Sequence, residues 1–173
     1  MLEVQSKAYQ EQYGDNFICV IPTNIYGEND NYNLENAHVI PALIHKCYNA
    51  KKNNKKFIVC GTGSPLRQFI YSKDLGKLIL WTLEHYNEKD SIILSVGEKE
   101  EVSIKEIAEI IANEFNYNHM MEFDTSFSDG QFKKTADNSK LITLNKNFKF
   151  MPLNKGLKNS IQWFIKNYKI CRK

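Results

Sequence analysis

Short apolar runs alternate with longer amphipathic segments along most of this sequence. The apolar runs are rich in β-branched and aromatic residues, and they predict strands over residues 17–23, 57–59, 68–71 and 92–96. Segments with apolar residues at helical spacing predict helices over residues 1–13, 37–51, 73–86, 103–115 and 153–168. Strands that alternate with helices favour parallel pairing, so the pattern predicts an α/β fold.

Several of these elements carry more detailed predictions. The run from Phe17 to Thr23 is almost continuously apolar, which predicts a strand buried on both faces. Ser103 and Glu106 have the spacing of a capping box and so mark the start of a helix. One face of the last helix carries the apolar residues Leu157, Ile161, Phe164 and Ile165. A short strand at 122–124 and a polar loop over 125–139 complete the predicted order of elements.

The most informative chemistry lies where the first strand ends and the next helix begins. Pro22, Thr23 and Asn24 end the strand, and His38 opens the helix. Strand carboxyl ends and helix amino ends leave backbone groups free for ligands, and an imidazole moves protons near neutral pH. The pairing therefore predicts a ligand site. A structural turn and an ordinary surface or capping histidine are the alternatives that these residues leave open.

Composition narrows the function only slightly. The 173 residues are 42% hydrophobic and 25% charged with a net charge of +3, which is typical of a globular protein. We therefore expect no nucleic-acid partner and no membrane partner. Four scattered cysteines without metal spacing predict free thiols and no metal site. Free thiols and an amino terminus without an apolar signal core lead us to expect a cytoplasmic protein.

Three further motifs have ordinary explanations. Gly61-Thr-Gly63 lacks the third glycine and the following helix of a dinucleotide fingerprint, although the turn still allows close approach of a ligand. Tyr48 and Lys52 have the Tyr-x-x-x-Lys spacing of ketone reductases, but so loose a pattern is better explained by chance. No aromatic residues interleave with the basic run 51–56, so we interpret it as a solvated loop rather than an anion-binding patch.

Arg67 and Asp129 each admit two interpretations. Arg67 follows the glycine turn, where it could hold a diphosphate or could simply pair with Asp74. Asp129 precedes Gly130 in a charged segment that could bind a ligand or form only an exposed turn. The residues alone leave both pairs of alternatives open.

Taken together, several segments resemble the carboxy-terminal part of members of the GDP-L-fucose synthase family. These enzymes are extended short-chain dehydrogenases/reductases. The resemblance covers essentially the whole chain and rests on Pro22–Gly27, Asp30–Asn33, Asn36–Lys46, Gly61–Phe69 and Ser128–Lys134. The chain departs from the family at two positions. Glu28 replaces a common proline, and Cys60 replaces the usual tryptophan, so an aromatic wall on the ligand is expected to be lost.

The resemblance implies a division into two domains. Residues 1–30 would be the end of a Rossmann-like NADP-binding domain. Residues 31–173 would mainly form a smaller α/β substrate-binding domain, with residues about 68–97 returning to the Rossmann sheet. In the family, the glycine-rich phosphate loop, a catalytic Ser, a catalytic Cys and the true Tyr-x-x-x-Lys come before the segment that matches residue 1. We therefore expect the chain to be inactive by itself.

The resemblance also implies roles for individual residues. His38 would donate protons in the 3,5-epimerisation of GDP-4-keto-6-deoxymannose, whose C4 ketone is then reduced by NADPH. The residues expected to line NADP(H) are Pro22, Thr23, Asn24, Ile25 and His38. Those expected to contact the GDP-sugar are Lys46, Cys60, Arg67 and Asp129. Cations at Lys46 and Arg67 would offset the diphosphate charge.

Two other functions stay open at this point. Another nucleotide-sugar epimerase or dehydratase would share the Pro-x-Asn-x-Tyr-Gly motif, although the His-Val-Ile-Pro segment that begins at His38 argues against it. A nucleotide-sugar-binding module without catalysis is the second alternative. Because the family is usually homodimeric, we expect a homodimer for the full-length enzyme.

Overall fold

The computed structural model describes all residues from 1 to 173. Helices α1–α6 cover Leu2–Tyr13, Val39–Lys52, Ser72–His85, Ile104–Glu114, Ser139–Leu144 and Leu153–Asn167. Strands β1–β8 cover Val20–Pro22, Asn24–Tyr26, Phe57–Cys60, Leu66–Arg67, Phe69–Tyr71, Ile92–Leu94, Val102–Ser103 and Met121–Asp124. The elements therefore follow the predicted order closely.

The strands form four two-stranded ladders. Strand β1 pairs with β6, β2 pairs with β5, and β3 pairs with β8, each in parallel. The remaining ladder, β4 with β7, is antiparallel and joins Leu66 to Ser103 and Arg67 to Val102. The prediction of an α/β fold with mostly parallel pairing is confirmed.

Two hydrophobic cores lie on either side of β5. The larger core, beneath α2, α4 and α6, takes in Phe69 and Tyr71. The smaller core, between α3 and β6, takes in Ile70. Because successive side chains of a strand point to opposite faces, β5 contributes to both cores and holds them together. A groove opens beside this strand.

The first predicted strand is shorter and more exposed than its apolar sequence predicts. Residues 17–19 are not in a strand, and the remainder is divided at Thr23 into β1 and β2. Ile21 is 45% exposed and Ile25 is 40% exposed. The prediction of burial on both faces is wrong, because no layer of this chain covers the face of β1 on which the Ile21 side chain lies.

The helices confirm the local predictions and correct one detail. The Ser103 hydroxyl accepts the Glu106 N–H at 3.1 Å, and the Glu106 carboxylate accepts the Ser103 N–H at 2.7 Å, which confirms the capping box. In α6, Leu157 and Phe164 are fully buried, but Ile165 is 47% exposed. Ile165 follows Leu157 by eight residues and is therefore rotated about 80° from it around the helix axis.

Helix α5 was not predicted. It follows the polar loop and has six residues, which are too few to display a clear helical repeat of apolar positions, and only Leu141 among them is buried. Leu141 packs into the smaller core. The tertiary contact of one leucine therefore stabilises a segment for which the local pattern gives no signal.

Exposed apolar surface is concentrated on two helices. Helix α1 has no buried residue, and in α3 Leu80 and Leu83 are 62% and 73% exposed. The opposite face of α3 packs through Leu75 and Leu78, which confirms that one side of this apolar helix covers a sheet. None of the helices combines the length and the apolar character that crossing a bilayer requires.

Candidate functional site

A groove of about 530 Å³ opens beside β5. The end of β2 and the loop after it form one wall, and the starts of α2 and α3 form another. The lining residues are Thr23–Asp30, His38–Ile40, Arg67, Phe69 and Ser72. The first N–H groups of a helix have no partner within the helix, so two helix amino ends give this groove donors for a polar or anionic ligand.

His38 lies at the amino end of α2 and faces the groove. It is the N-cap residue, its side chain is exposed, and it makes no capping hydrogen bond. The half-buried carboxyl of Asp30 lines the same groove. Burial raises the pKa of Asp30, while the Asn31 N–H and the charge of His38 act in the opposite direction. The His38 imidazole is therefore free to exchange a proton with a ligand and interacts electrostatically with Asp30.

The structure brings three of the four predicted strand-end residues into this groove. Thr23, Asn24 and Ile25 line it, whereas Pro22 lies on exposed β1 outside it. The Thr23 hydroxyl is 3.0 Å from the Ser95 hydroxyl, and the Asn24 amide donates to the Gln68 carbonyl at 2.9 Å. These bonds hold the strand end, leaving the Asn24 amide oxygen and the exposed Ile25 side chain to contact a ligand.

Glu28 is a groove residue to which sequence reasoning gave no role. Its carboxylate accepts the Tyr71 hydroxyl at 2.6 Å and the Lys73 ammonium at 2.7 Å. Burial raises the pKa of Glu28, but the hydrogen bonds from Lys73 and Tyr71 outweigh burial and lower it overall. Glu28 therefore ties the loop that leads to His38 onto β5 and α3. The only signal in the sequence was its departure from the common proline.

We expect the contribution of Glu28 to stability to be lost in acid. Its carboxylate is only 13% exposed, so Glu28→Gln should lower the free energy of unfolding by about 1 kcal/mol near neutral pH. Because the folded state lowers the pKa, this contribution is complete above the ordinary value of 4.5 and disappears as the pH falls below it. Urea unfolding at a series of pH values measures the difference.

The matched control for this experiment is Glu11→Gln, which removes an exposed carboxyl of α1 that has no ion-pair partner. Its effect should be small at every pH. The free energies of unfolding of the unmodified chain and of Glu28→Gln should converge in acid. A difference between them that stays constant from neutral pH to about pH 3 would contradict the stabilising role of the ionised Glu28 carboxylate.

Arg67 and Asp129 both lie near the glycine turn, with different surroundings. Arg67 lines the groove, and its guanidinium donates to the Leu66 carbonyl at 2.7 Å. The alternative in which it pairs with Asp74 is wrong, because buried Asp74 instead accepts the Met151 N–H at 2.5 Å. The Asp129 carboxylate accepts the Thr62 N–H at 2.9 Å and the Thr62 hydroxyl at 2.5 Å. Asp129 thus stabilises the glycine turn from within the chain.

Lys46 and Cys60 occupy a second concavity rather than the groove. The Lys46 ammonium is 3.6 Å from the exposed Cys60 thiol. This concavity has a volume of about 410 Å³, and Leu34, Ile58 and Phe127 supply apolar walls. The predicted substrate residues therefore divide into two groups, of which only Arg67 shares the groove with His38.

The chain is similar to a family of known enzymes. Residues 1–97 match the model of the NAD dependent epimerase/dehydratase family. A "GDP-L-fucose synthase" from Dictyostelium discoideum is 52% identical over the whole chain, and a "Probable GDP-L-fucose synthase" from Drosophila melanogaster is 43% identical. The chain covers 54% and 56% of these two proteins, so it spans about half the length of the relatives it matches.

A solved structure shows the same fold. It is a GDP-L-fucose synthetase from Naegleria fowleri bound to NADP, which is 43% identical to this chain. The TM-score is 0.96, and the match covers 100% of this chain and 53% of the other. The fold is therefore that of an extended short-chain dehydrogenase/reductase, in the part that these residues cover.

Proposed function

Since this chain belongs to the NAD dependent epimerase/dehydratase family, we propose that it is the carboxy-terminal part of a GDP-L-fucose synthase. Such an enzyme epimerises GDP-4-keto-6-deoxymannose at C3 and C5 and reduces it at C4 with NADPH. One observation carries the proposal: His38, with a free imidazole, shares a groove with the strand end Thr23–Ile25 and with Arg67. The identity to the Dictyostelium and Naegleria proteins supports the same conclusion.

His38 is the proton donor in this proposal. The C4 ketone acidifies the neighbouring C–H bonds of the sugar, so a base can remove a proton from one face and an acid can return one to the opposite face. An exposed imidazole at a helix amino end can supply that proton, and the Asp30 carboxyl lines the same groove. Inversion at C3 and C5 would therefore need His38 on one face of the sugar and, on the other face, a base from the part of the enzyme that this chain does not cover.

The strand end fits the nicotinamide end of NADP(H). Ile25 presents a 40% exposed apolar side chain to the groove, and the Asn24 amide oxygen is an acceptor suited to a carboxamide. When bound, this cofactor supplies the hydride for reduction at C4. Pro22, Thr23 and His38 complete the proposed set, with Thr23 held through Ser95.

The GDP-sugar would lie between the groove and the concavity beside Cys60. Arg67 in the groove and Lys46 in the concavity provide two cations for a diphosphate. Asp129 shapes the intervening glycine turn, where Gly61 has φ of 85° and a Cβ would lie 2.4 Å from the Asp129 carboxylate. A ligand that spans both sites would contact Lys46, Cys60 and Arg67, and it would pass the glycine turn that Asp129 holds in place.

The domain division belongs to the same proposal. Residues 1–30 would end the Rossmann-like domain, and residues 31–173 would form mainly the substrate domain. The parallel pairing of β1 with β6 supports a return of residues 68–97 to the Rossmann sheet. A cytoplasmic location, isomerase activity and a homodimer of the full-length enzyme are further parts of this proposal.

A chimera tests the function directly. The chimera joins residue 1 of this chain to the part of the Dictyostelium relative that the chain does not cover. It is assayed with GDP-4-keto-6-deoxymannose and NADPH. We expect the chimera to form GDP-L-fucose and the 173-residue chain alone to form none. A folded chimera without turnover would contradict the proposed function, whereas turnover by the chain alone would contradict only its dependence on the other half.

The same chimera distinguishes the alternatives. A different nucleotide-sugar epimerase or dehydratase would prefer UDP- or dTDP-linked 4-keto sugars over the GDP-linked substrate. A binding module would bind the GDP-sugar without turnover in either form. Competition by GDP-, UDP- and dTDP-sugars for a fluorescent GDP probe, run beside the turnover assay, separates these outcomes.

A further inference from the structure

The carboxyl ends of three helices meet at one end of the molecule. The His45 ring of α2 lies nearer to Phe164 of α6, at 5.3 Å, than to Tyr168 just after α6, at 5.8 Å. Tyr48, one turn further along α2, lies nearer to Tyr168, at 4.5 Å, than to Phe164, at 5.5 Å, so the two helices run in the same sense. The Lys51 ammonium at the end of α2 donates to the Phe115 carbonyl at the end of α4, at 2.6 Å. Helices α2, α4 and α6 therefore all end on this surface.

This surface is strongly basic. Segments 47–56 and 165–173 carry eight of the 23 Lys and Arg residues and none of the 20 Asp and Glu residues. The end of α4 adds one carboxylate, Glu114, which is 3.9 Å from Lys158 outside these segments. We call the eight cations the basic end; they are Lys51, Lys52, Lys55, Lys56, Lys166, Lys169, Arg172 and Lys173. The remainder of the chain carries more acidic than basic residues. The net charge of +3 thus conceals a pronounced separation of charge.

The negative ends of the three helices offset only part of this positive charge. Each helix carboxyl end carries about half a negative charge, so three ends offset about one and a half of the eight positive charges. Lys51 and Lys173 donate to helix-end carbonyls, and Lys56 pairs with Glu122 at 2.6 Å. The other five cations have no acidic partner, so an external anion is the natural counter-charge.

Exposed aliphatic side chains lie among these cations. Ile170 is 82% exposed, and Ile165 is 47% exposed. Ile165 borders a concavity of about 320 Å³ together with Tyr48, Phe115, Lys51 and Lys52. Cations that surround exposed aliphatic side chains match the interface of a bilayer, where anionic headgroups lie above acyl chains.

Packing of the aromatic rings argues against a nucleic-acid ligand. The rings of Tyr48 and Tyr168 pack against each other with centroids 4.5 Å apart, and the Lys173 ammonium lies 3.7 Å from the centroid of Tyr168. Single-stranded nucleic acids need open aromatic faces on which bases can stack. These rings are occupied, whereas the exposed apolar groups are isoleucines.

We propose that the basic end binds the surface of anionic lipid bilayers, with Ile170 entering the interface. This departs from the sequence-based expectation of no membrane partner, which rested on the overall charge. The sequence interpretation of residues 51–56 as a solvated loop did not consider residues 166–173, where Lys166 at the end of α6 and three cations after it add to the same charge. Lys55 and Lys56 also line the concavity that contains Lys46 and Cys60. The proposal nevertheless does not depend on the proposed function, because none of the residues replaced in the tests below lines the groove or that concavity.

Flotation of vesicles on a sucrose gradient tests the proposal with the 173-residue chain. Bound protein rises with the vesicles and aggregates sink, so association of the chain with itself does not imitate binding. We expect flotation with vesicles of phosphatidylcholine and phosphatidylserine, loss of flotation with phosphatidylcholine alone, and weakening by salt. Equal binding to neutral vesicles, or no binding to anionic ones, would overturn the proposal.

Matched variants locate the surface. Replacing Lys52, Lys166, Lys169 and Arg172 by Gln should weaken partitioning to anionic vesicles by at least about tenfold. The control replaces by Gln four exposed cations that lie outside the basic end and have no ion pair: Lys89, Lys99, Lys146 and Lys149. This control should change partitioning to anionic vesicles only slightly. Ile170→Ser should weaken mainly the binding that persists at high salt. Equal losses in both charge variants would overturn the assignment of the surface.

A single-stranded oligonucleotide serves as the competing ligand. If it binds more tightly than anionic vesicles and that binding is lost in the variant of the basic end, the surface recognises nucleic acid and the lipid proposal is wrong. Circular dichroism of each variant confirms that the fold is retained.

Discussion

Replacing His38 by Gln in the chimeric enzyme should lower the rate of GDP-L-fucose formation by about 10²–10⁴-fold, the usual contribution of a positioned general acid. Glutamine is similar in size and can donate a hydrogen bond, but it cannot transfer a proton. His38 makes no capping hydrogen bond, so its replacement should leave α2 intact. The rate constant kcat should therefore fall with little change in KM.

Isotope exchange identifies the affected step. In D2O the unmodified chimera should introduce deuterium at C3 and C5 of the product, and His38→Gln should reduce this incorporation by a similar factor. His119→Gln provides the matched control, because His119 is an exposed histidine outside the groove. A loss of less than tenfold in His38→Gln, or an equal loss in the control, would contradict the role of His38 as proton donor.

Replacing Phe164 by Ala should lower the free energy of unfolding by about 3–5 kcal/mol. Phe164 is fully buried, and its ring centroid lies 4.5 Å from that of Tyr32 and 5.3 Å from that of His45. Removing the ring leaves a cavity between α2, α6 and the loop that contains Tyr32. The cost therefore combines lost burial with incomplete collapse of the surrounding side chains.

Phe164 also supports the loop that leads to His38. The Tyr32 carbonyl accepts the His45 ring N–H at 2.7 Å, and the Tyr32 hydroxyl donates to the Gly27 carbonyl at 3.2 Å. Burial lowers the pKa of His45, although the bond to Tyr32 opposes this, and the carbonyl acceptor requires a proton on Nδ1. A cavity beside Tyr32 should loosen this loop as well as the core.

Urea unfolding of the 173-residue chain, followed by Trp fluorescence and circular dichroism, measures the effect. Ile165→Ala is the matched control, since Ile165 adjoins Phe164 in α6 but is 47% exposed. It should change the free energy of unfolding by less than about 1 kcal/mol. Similar losses in the two variants, or a loss below about 1 kcal/mol for Phe164→Ala, would show that the ring does not stabilise this core.

Local patterns were sufficient for much of the fold. The capping box at Ser103 and the buried face of α6 depend on residues three or four positions apart, which a sequence displays directly. Parallel pairing follows from the alternation of strands with helices. The strand end and His38 were placed at one site because strand and helix ends meet there in α/β folds.

The other features of the site and the surface depend on contacts between residues far apart in the sequence. Glu28 meets Tyr71 across 43 residues and Lys73 across 45, and no local pattern predicts which side chains a loop residue will meet. Lys46 and Cys60 lie outside the groove because α2 and β3 direct them into a separate concavity. The basic end likewise exists only because α6 ends beside α2.

The sequence by itself determined the α/β class, most element positions and the candidate acid His38, because these depend on periodicity and on the ends of elements. Only the tertiary structure decided that β1 is exposed, that Glu28 holds the loop before His38, and that the basic segments after α2 and α6 meet at one end of the molecule. The physical reason is that burial and charge density depend on which distant segments pack together. Residue spacing along the chain does not contain that information.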